Sequence, residues 1–150
     1  MISKACKYGI RAVLFVASRK DDNIKLNIDD IAREVDAPEP FTAKILQSLN
    51  KMRIITSKKG PSGGFYLEDH QLHQPLLNVV RAIDGLTVFR ECGLGLKQCS
   101  EIRPCPMHDQ YKIARETLLK AFQETTIQQL ADEVNQGSSF INNLTLSCEE

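Results

Sequence analysis

Four side chains able to bind a metal fall close together in the chain as Cys92-x6-Cys99-x5-Cys105-x2-His108. Three thiolates and an imidazole are enough for a zinc site, or for protein-supplied positions on an iron-sulfur cluster. The spacing favours a cluster, of 2Fe-2S or 4Fe-4S type. Structural zinc sites usually contain a tight pair with about two to four intervening residues, whereas both cysteine gaps here are longer and can wrap a larger object. Gly93 and Gly95 loosen the first gap, and Pro104 and Pro106 stiffen the last. Cys105-Pro106 also echoes the Cys-Pro that closes bacterial ferredoxin runs. Zinc and metal-free thiols remain open alternatives, and His108 is either a fourth ligand or simply a residue at the start of the next helix.

A second group has the chemistry of nucleic-acid contact. Residues 44–60 contain Lys44, Lys51, Arg53, Lys58 and Lys59 without one Asp or Glu. Thr42, Lys44, Gln47 and Lys51 are predicted to point away from an apolar side formed by Phe41, Ile45, Leu46 and Leu49, and so to meet base edges and phosphates in a major groove. Further on, Lys58-Lys59-Gly60-Pro61-Ser62-Gly63-Gly64 joins positive charge to bare backbone N–H groups, with Gly60 and Ser62 at the tip, where a phosphate backbone or narrow minor groove can sit. A flexible turn explains the glycines but not the lysines. No Ser/His/Asp order, P-loop or Gly-x-Gly-x-x-Gly pattern is present, which gives no support to an enzyme.

The elements that must position these groups follow from periodicity. Ser3 is predicted to cap a helix running to about Arg19, with Ile10, Val13, Leu14 and Ala17 on its buried stripe. Asn27 and Asp30 resemble a capping box opening a short helix through Val35. Pro38 and Pro40 pre-set the third helix. Ile54, Ile55 and Thr56 begin a strand, and Phe65, Tyr66 and Leu67 begin its partner across the glycine loop. This order is that of a winged helix-turn-helix. A further helix through Leu76, Val80 and Ile83 ends at Asp84-Gly85, and a long amphipathic helix starts near Asp109, restarts at the Thr126/Gln129 capping box and stops by Gly137.

The expected fold is mainly α with a small β-hairpin. Residues 1–85 form a winged helix-turn-helix DNA-binding domain, 86–108 a cysteine-rich loop, 109–136 a dimerisation helix and 137–150 a flexible tail. The 150 residues, 42% hydrophobic and 25% charged, have ordinary globular composition. Net charge is zero, yet residues 1–75 hold 12 basic and 9 acidic side chains against 7 and 10 in the remainder. The longest apolar run, Ala12 to Ala17, is far too short to cross a bilayer, and no secretory signal is evident, so the expected location is cytoplasmic. An odd count of five cysteines there argues against a disulfide framework. Cys6 and Cys148 read as a small buried hydrophobe and a free thiol, and His70 and His73 as surface residues.

Tyr8-Gly9-Ile10-Arg11-Ala12, the run Phe41-x3-Ile45-Leu46-x2-Leu49, the wing Ser57 to Leu67, and Leu77-x-Val79-Val80-x-Ala82-Ile83-x-Gly85 resemble the Rrf-2 family of bacterial winged-helix transcription regulators over about residues 1–135. The three-cysteine segment resembles its IscR/NsrR-like cluster-binding branch. This resemblance implies a homodimer formed through the long C-terminal helix and reading a palindromic operator on double-stranded DNA. There are departures. Pro38 stands where the family usually has a hydroxyl cap, Arg53 where it usually has glycine before the wing, and the first cysteine gap is one residue longer than in IscR-like proteins. Lys7 stands where some nitric-oxide sensors of the family carry an acidic ligand; its ammonium cannot bind iron, which favours His108 or a non-protein ligand. The leading expectation is a regulator whose operator affinity follows an iron-sulfur cluster sensing redox state, nitric oxide or iron-sulfur status. The alternatives are a cluster-free member controlled by thiol oxidation or a partner protein and, from another class, a small electron-transfer protein.

Overall fold

A computed structural model describes residues 1–142; Cys148 lies outside them. Helix α1 (Lys4–Ser18) is central. It starts where the Ser3 hydroxyl accepts the Cys6 N–H at 3.0 Å, and the Ser3 N–H and hydroxyl both donate to the Asp84 carboxylate, which ties this cap to the end of α5 (Leu77–Ile83). Its buried side is wider than the four-residue stripe read from the sequence, taking in Cys6, Gly9, Ala12 and Val16 as well as Val13, Leu14 and Ala17. That breadth follows from its packing against α2 (Ile28–Val35), α3 (Glu39–Lys51), α5 and α7 (Ile127–Asn135).

The helix-turn-helix is built from two left-handed helix ends. Asp36 has φ 52°, and the N–H groups of Asp36 and Ala37 return to the carbonyls of Arg33 and Ala32, which stops α2 and redirects the chain through Pro38. Helix α3 ends the same way. Arg53 has φ 58°, its N–H reaches the Asn50 carbonyl at 3.0 Å, and the Ile54 N–H reaches the Leu49 carbonyl at 2.9 Å while both of those side chains are fully buried. This motif favours glycine at the left-handed position, because a side chain there costs about 1–2 kcal/mol. Arg53→Gly is therefore expected to raise stability by about 1 kcal/mol, less the added freedom of the unfolded chain, and the melting temperature by about 2–4 °C. A lower midpoint in urea would contradict this account.

The ladder starts later than the β-branched run suggested. Ile54 and Ile55 are core plugs, and β1 (Thr56–Lys58) pairs antiparallel with β2 (Gly64–Tyr66) in the register Thr56 with Tyr66 and Lys58 with Gly64. On the other edge of β2, Leu26 exchanges two backbone hydrogen bonds with Phe65, at 3.0 and 2.7 Å, so the wing is clamped on both sides. Gly64 permits this approach, since a Cβ there would lie 2.7 Å from the Leu26 carbonyl oxygen. A short helix not read from the sequence, α4 (Asp69–Leu72), carries the buried Gln71, whose amide bonds the Glu68 N–H, the Thr56 hydroxyl and the Arg53 carbonyl.

The stretch expected as one dimerisation helix is two helices with different partners. Helix α6 (His108–Glu124) breaks at Thr125, where the carbonyl of extended Thr125 accepts from Leu76 and the Ile127 N–H donates to Gln74. The Thr126/Gln129 capping box then opens α7, as the sequence suggested. Ile127 is 0% exposed and Ala131 is buried against the same core as α1, so the winged unit is completed by a helix beyond its expected boundary at 85. Burying a side chain such as Ile127 contributes about 1.5–3 kcal/mol, which outweighs continuing α6 through Thr125. The expected flexible tail is also held at its start. Ile141 rests on the core and its carbonyl accepts from Arg11 Nε at 2.5 Å. Among the described residues no helix is long and apolar enough to cross a membrane.

Candidate DNA-facing surface and cysteine-histidine centre

Most of the proposed DNA-contacting residues lie where the sequence placed them. Lys44, Gln47 and Lys51 are exposed on α3, Lys58 is exposed at the end of β1, and Lys59, Gly60 and Ser62 are exposed at the wing tip. Thr42 does not belong with them. It is 1% exposed, and its hydroxyl donates to the Pro38 carbonyl one turn back at 3.1 Å. Positions 42, 45, 46 and 49 form the three- and four-residue spacing of the core face, and a threonine whose hydroxyl is satisfied within its own helix is cheap to bury. Lys25, absent from the sequence reading, joins the basic surface through the Leu26 pairing, with its ammonium 5.5 Å from the centre of the Tyr66 ring.

The cysteine loop runs from the short turn Thr87–Phe89 to α6 without regular structure. Its four candidate ligands meet in two pairs. Cys92 Sγ is 3.6 Å from Cys105 Sγ, and Cys99 Sγ is 3.4 Å from Nδ1 of His108. A turn closed by the His108 N–H on the Cys105 carbonyl, 2.9 Å, sets the second and first pairs side by side in the chain, and His108 is buried as the first residue of α6. One cysteine from each pair, Cys92 and Cys99, lines the same open cleft of about 430 Å³, together with Arg90 and Lys97. Among the described residues no three or more His, Cys, Asp or Glu side chains are gathered around a single ion position, so the expected four-ligand set appears as two couples rather than one tetrad.

The two thiols of the first couple differ. Backbone N–H groups of Leu94 and Leu96 point at Cys92 and hold its thiol below the usual range, and desolvation pushes that of Cys105 up. Amides aimed at sulfur favour the thiolate, which is the form that binds metal. Cys6 is different in kind. It packs with Leu77, Val80 and Phe89, and burial, with a smaller effect from the Asp84 charge, pushes its thiol up to about 12. It is an inert core residue. His70 and His73 are exposed, as expected.

A helix-turn-helix with an exposed basic recognition helix and a clamped basic wing defines a DNA-binding transcription regulator. The profile of the Rrf2 family, described as an iron-dependent transcriptional regulator, matches residues 2–133. The chain belongs to the Rrf2 family, and is a regulator of transcription rather than an enzyme or an electron carrier. An HTH-type transcriptional regulator of Aquifex aeolicus is 27% identical over 132 residues, spanning 87% of this chain and 90% of that one. The regulator NsrR of Oceanobacillus iheyensis is 22% identical over 130 residues, 86% and 88% of the two chains. In fold, the chain resembles CymR, the global cysteine regulator of B. subtilis, with a TM-score of 0.67, 17% identity and coverage of 88% and 96%. It also resembles IscR of T. potens, with a TM-score of 0.68, 14% identity and coverage of 93% and 91%.

Proposed function

We propose that this protein is a homodimeric regulator whose affinity for a palindromic operator is set by a [2Fe-2S] cluster held by Cys92, Cys99, Cys105 and His108. The observation that carries the reading is the two-by-two pairing of these side chains. In a tetrahedral centre with metal–sulfur bonds of about 2.3 Å and metal–nitrogen bonds of about 2.0 Å, two thiolates sit about 3.8 Å apart and a thiolate and an imidazole nitrogen about 3.5 Å apart. The spans of 3.6 and 3.4 Å are close to these values, and each iron of a two-iron cluster takes two protein ligands. A cleft shared by the two couples, with Arg90 and Lys97 to offset thiolate charge, suits an object larger than one ion. When bound, the cluster supplies a redox-active and oxidant-reactive centre. The chain's own part is to orient the four ligands and, because His108 opens α6, to join the loop's order to that helix.

Dimerisation is proposed through α6. Ile113 is 66% exposed and Leu118 37%, and Ala114, Thr117 and Ala121 on the same side are uncovered. A second copy of the chain covers this strip, and the resulting two-fold axis matches operator palindromy. Operator binding measured anaerobically, before and after reconstitution with iron and sulfide, tests the whole reading; equal affinities would overturn it. The DNA half has its own test. About three phosphate contacts per subunit from the basic surface give a log-log salt slope of about −5, and Lys58→Ala with Lys59→Ala lowers affinity across all sequences while Gln47→Ala changes preference at particular bases. A slope near zero would remove the wing and α3 from the interface.

The Cys92–Cys105 contact also supports a second reading, a cluster-free thiol switch. A peroxide can accept two electrons and two protons from these thiols as the disulfide forms. Oxidation-dependent operator binding in metal-free protein favours this alternative.

A further inference from the structure

We infer that Arg115 is a positioning residue that couples the cysteine loop to α6, so that a change of state in the loop moves the helix rather than being absorbed by the loop; this rests on the sensing function proposed above. Helix α6 grips the loop along one face only, with His108, Tyr111, Lys112 and Arg115 at the spacing of successive turns. His108 meets Cys99, and the Tyr111 ring lies so close over Gly93 that a Cβ there would be 2.6 Å from it. Lys112 pairs with Glu101 at 2.5 Å, and Arg115 Nη1 donates to the Glu91 carbonyl at 2.7 Å. The opposite face is the uncovered strip of Ile113, Ala114 and Thr117. One helix thus carries the loop's attachments on one side and an uncovered apolar strip on the other.

The four attachments are not equal. The Lys112–Glu101 pair is open to solvent, and such pairs are weak. The Tyr111 contact is packing against backbone, and His108 is itself a candidate ligand. Arg115 alone joins a charged donor to the backbone of the loop, at the peptide that leads into Cys92, and its guanidinium is further aligned 6.0 Å from the centre of the Tyr111 ring. The backbone hydrogen bonds within the first part of the loop are local, as in Gly95 to Cys92 and Glu91 to Thr87, so nothing in that ladder duplicates the role. Arg115 also holds a spare donor. Its Nε is the one buried side-chain nitrogen or oxygen among the described residues without a partner, a state that is costly to maintain and that leaves it free to take a new acceptor when the loop rearranges. A guanidinium with one bond made and one waiting suits a residue that serves two loop arrangements.

The test compares metal-free full-length wild type with Arg115→Met and Arg115→Lys by amide hydrogen exchange, before and after capping the accessible thiols with iodoacetamide. Cys6 stays unlabelled because it is buried, and labelling at Cys148 is common to all three proteins. In the wild type, capping the loop cysteines Cys92, Cys99 and Cys105 is expected to change exchange over residues 116–123 at least threefold, although those residues lie beyond the loop's attachments. Arg115→Met abolishes that remote response, and Arg115→Lys, which keeps the charge and one donor, restores at least part of it. A wild-type response in Arg115→Met, equal loss in both variants, or no response in the wild type overturns the inference. Cluster sensing is judged separately, by colour and operator affinity after reconstitution. A wild type that never takes up a cluster defeats that reading, while the exchange result still decides whether Arg115 couples loop to helix.

Discussion

Anaerobically isolated protein is expected to be brown, and serine at Cys92, Cys99 or Cys105 to leave it colourless. On the proposed assignment each couple would supply two ligands to one metal, so losing one thiolate would leave that metal without half of its protein ligands and without a negative charge to hold it. The remaining couple, 3.6 or 3.4 Å across, has no third side chain among the described residues to recruit. His108→Ala has a different expected result. It removes a neutral ligand and keeps all three thiolates, whose charge holds the iron, so a cluster is expected still to form, with solvent in the vacated position, but to be lost faster on exposure to air and to show a shifted reduction potential. The visible spectrum and an iron and sulfide assay on the four variants check this order. Colourless wild type carrying stoichiometric zinc after reconstitution with iron and sulfide would refute the cluster assignment, and so would full colour in all three serine variants.

Ile113→Glu with Leu118→Glu is expected to give a folded monomer that no longer holds the operator at concentrations where the wild type is saturated. Both side chains are exposed in the single chain, so the substitutions leave the core alone. In a symmetric dimer each loss counts twice, and the apolar surface involved corresponds to about 4 kcal/mol, or roughly three decades in dimer dissociation constant. Sedimentation and circular dichroism together check the outcome. Phe122 shares the apolar pattern of this helix but belongs to the other class. Its ring is 6.1 Å from that of Phe89 and packs on both core clusters, so a charge at 122 damages the fold itself rather than the association. A stable wild-type monomer in sedimentation would end the proposal for α6.

Helix caps and the wing were legible in the sequence, and contacts between distant segments were not. Ser3, Asn27 and the Thr126/Gln129 pair each cap a helix where read, because a cap is decided by residues within four positions of one another. The left-handed glycine after α5 and the wing between two short strands were equally local. Thr42 stands at core spacing from Ile45, Leu46 and Leu49, and because the Pro38 carbonyl one turn back accepts its hydroxyl, it is buried rather than turned outward. Leu26 pairing with Phe65, and Ile127 entering the core beside α1, depend on segments far apart in the chain, and no periodicity announces them. In the cysteine segment the ligand types were legible and their partition was not. Spacing says which side chains are near, whereas the pairing of Cys92 with Cys105 and of Cys99 with His108 is fixed by turns within an irregular loop.

The position of α7 bears on how the protein is made. Its contacts with α1 join the two ends of the described chain across more than a hundred residues, with the loop and α6 emerging between them. During synthesis α1 leaves the ribosome with part of its apolar surface bare, and that surface stays bare until α7 has been translated. The nascent chain cannot finish its DNA-reading half first and add its sensing segment afterwards. Closure of the core encloses the loop and α6 as an internal excursion, so a chain able to hold an operator has by construction already emerged with all four candidate ligands.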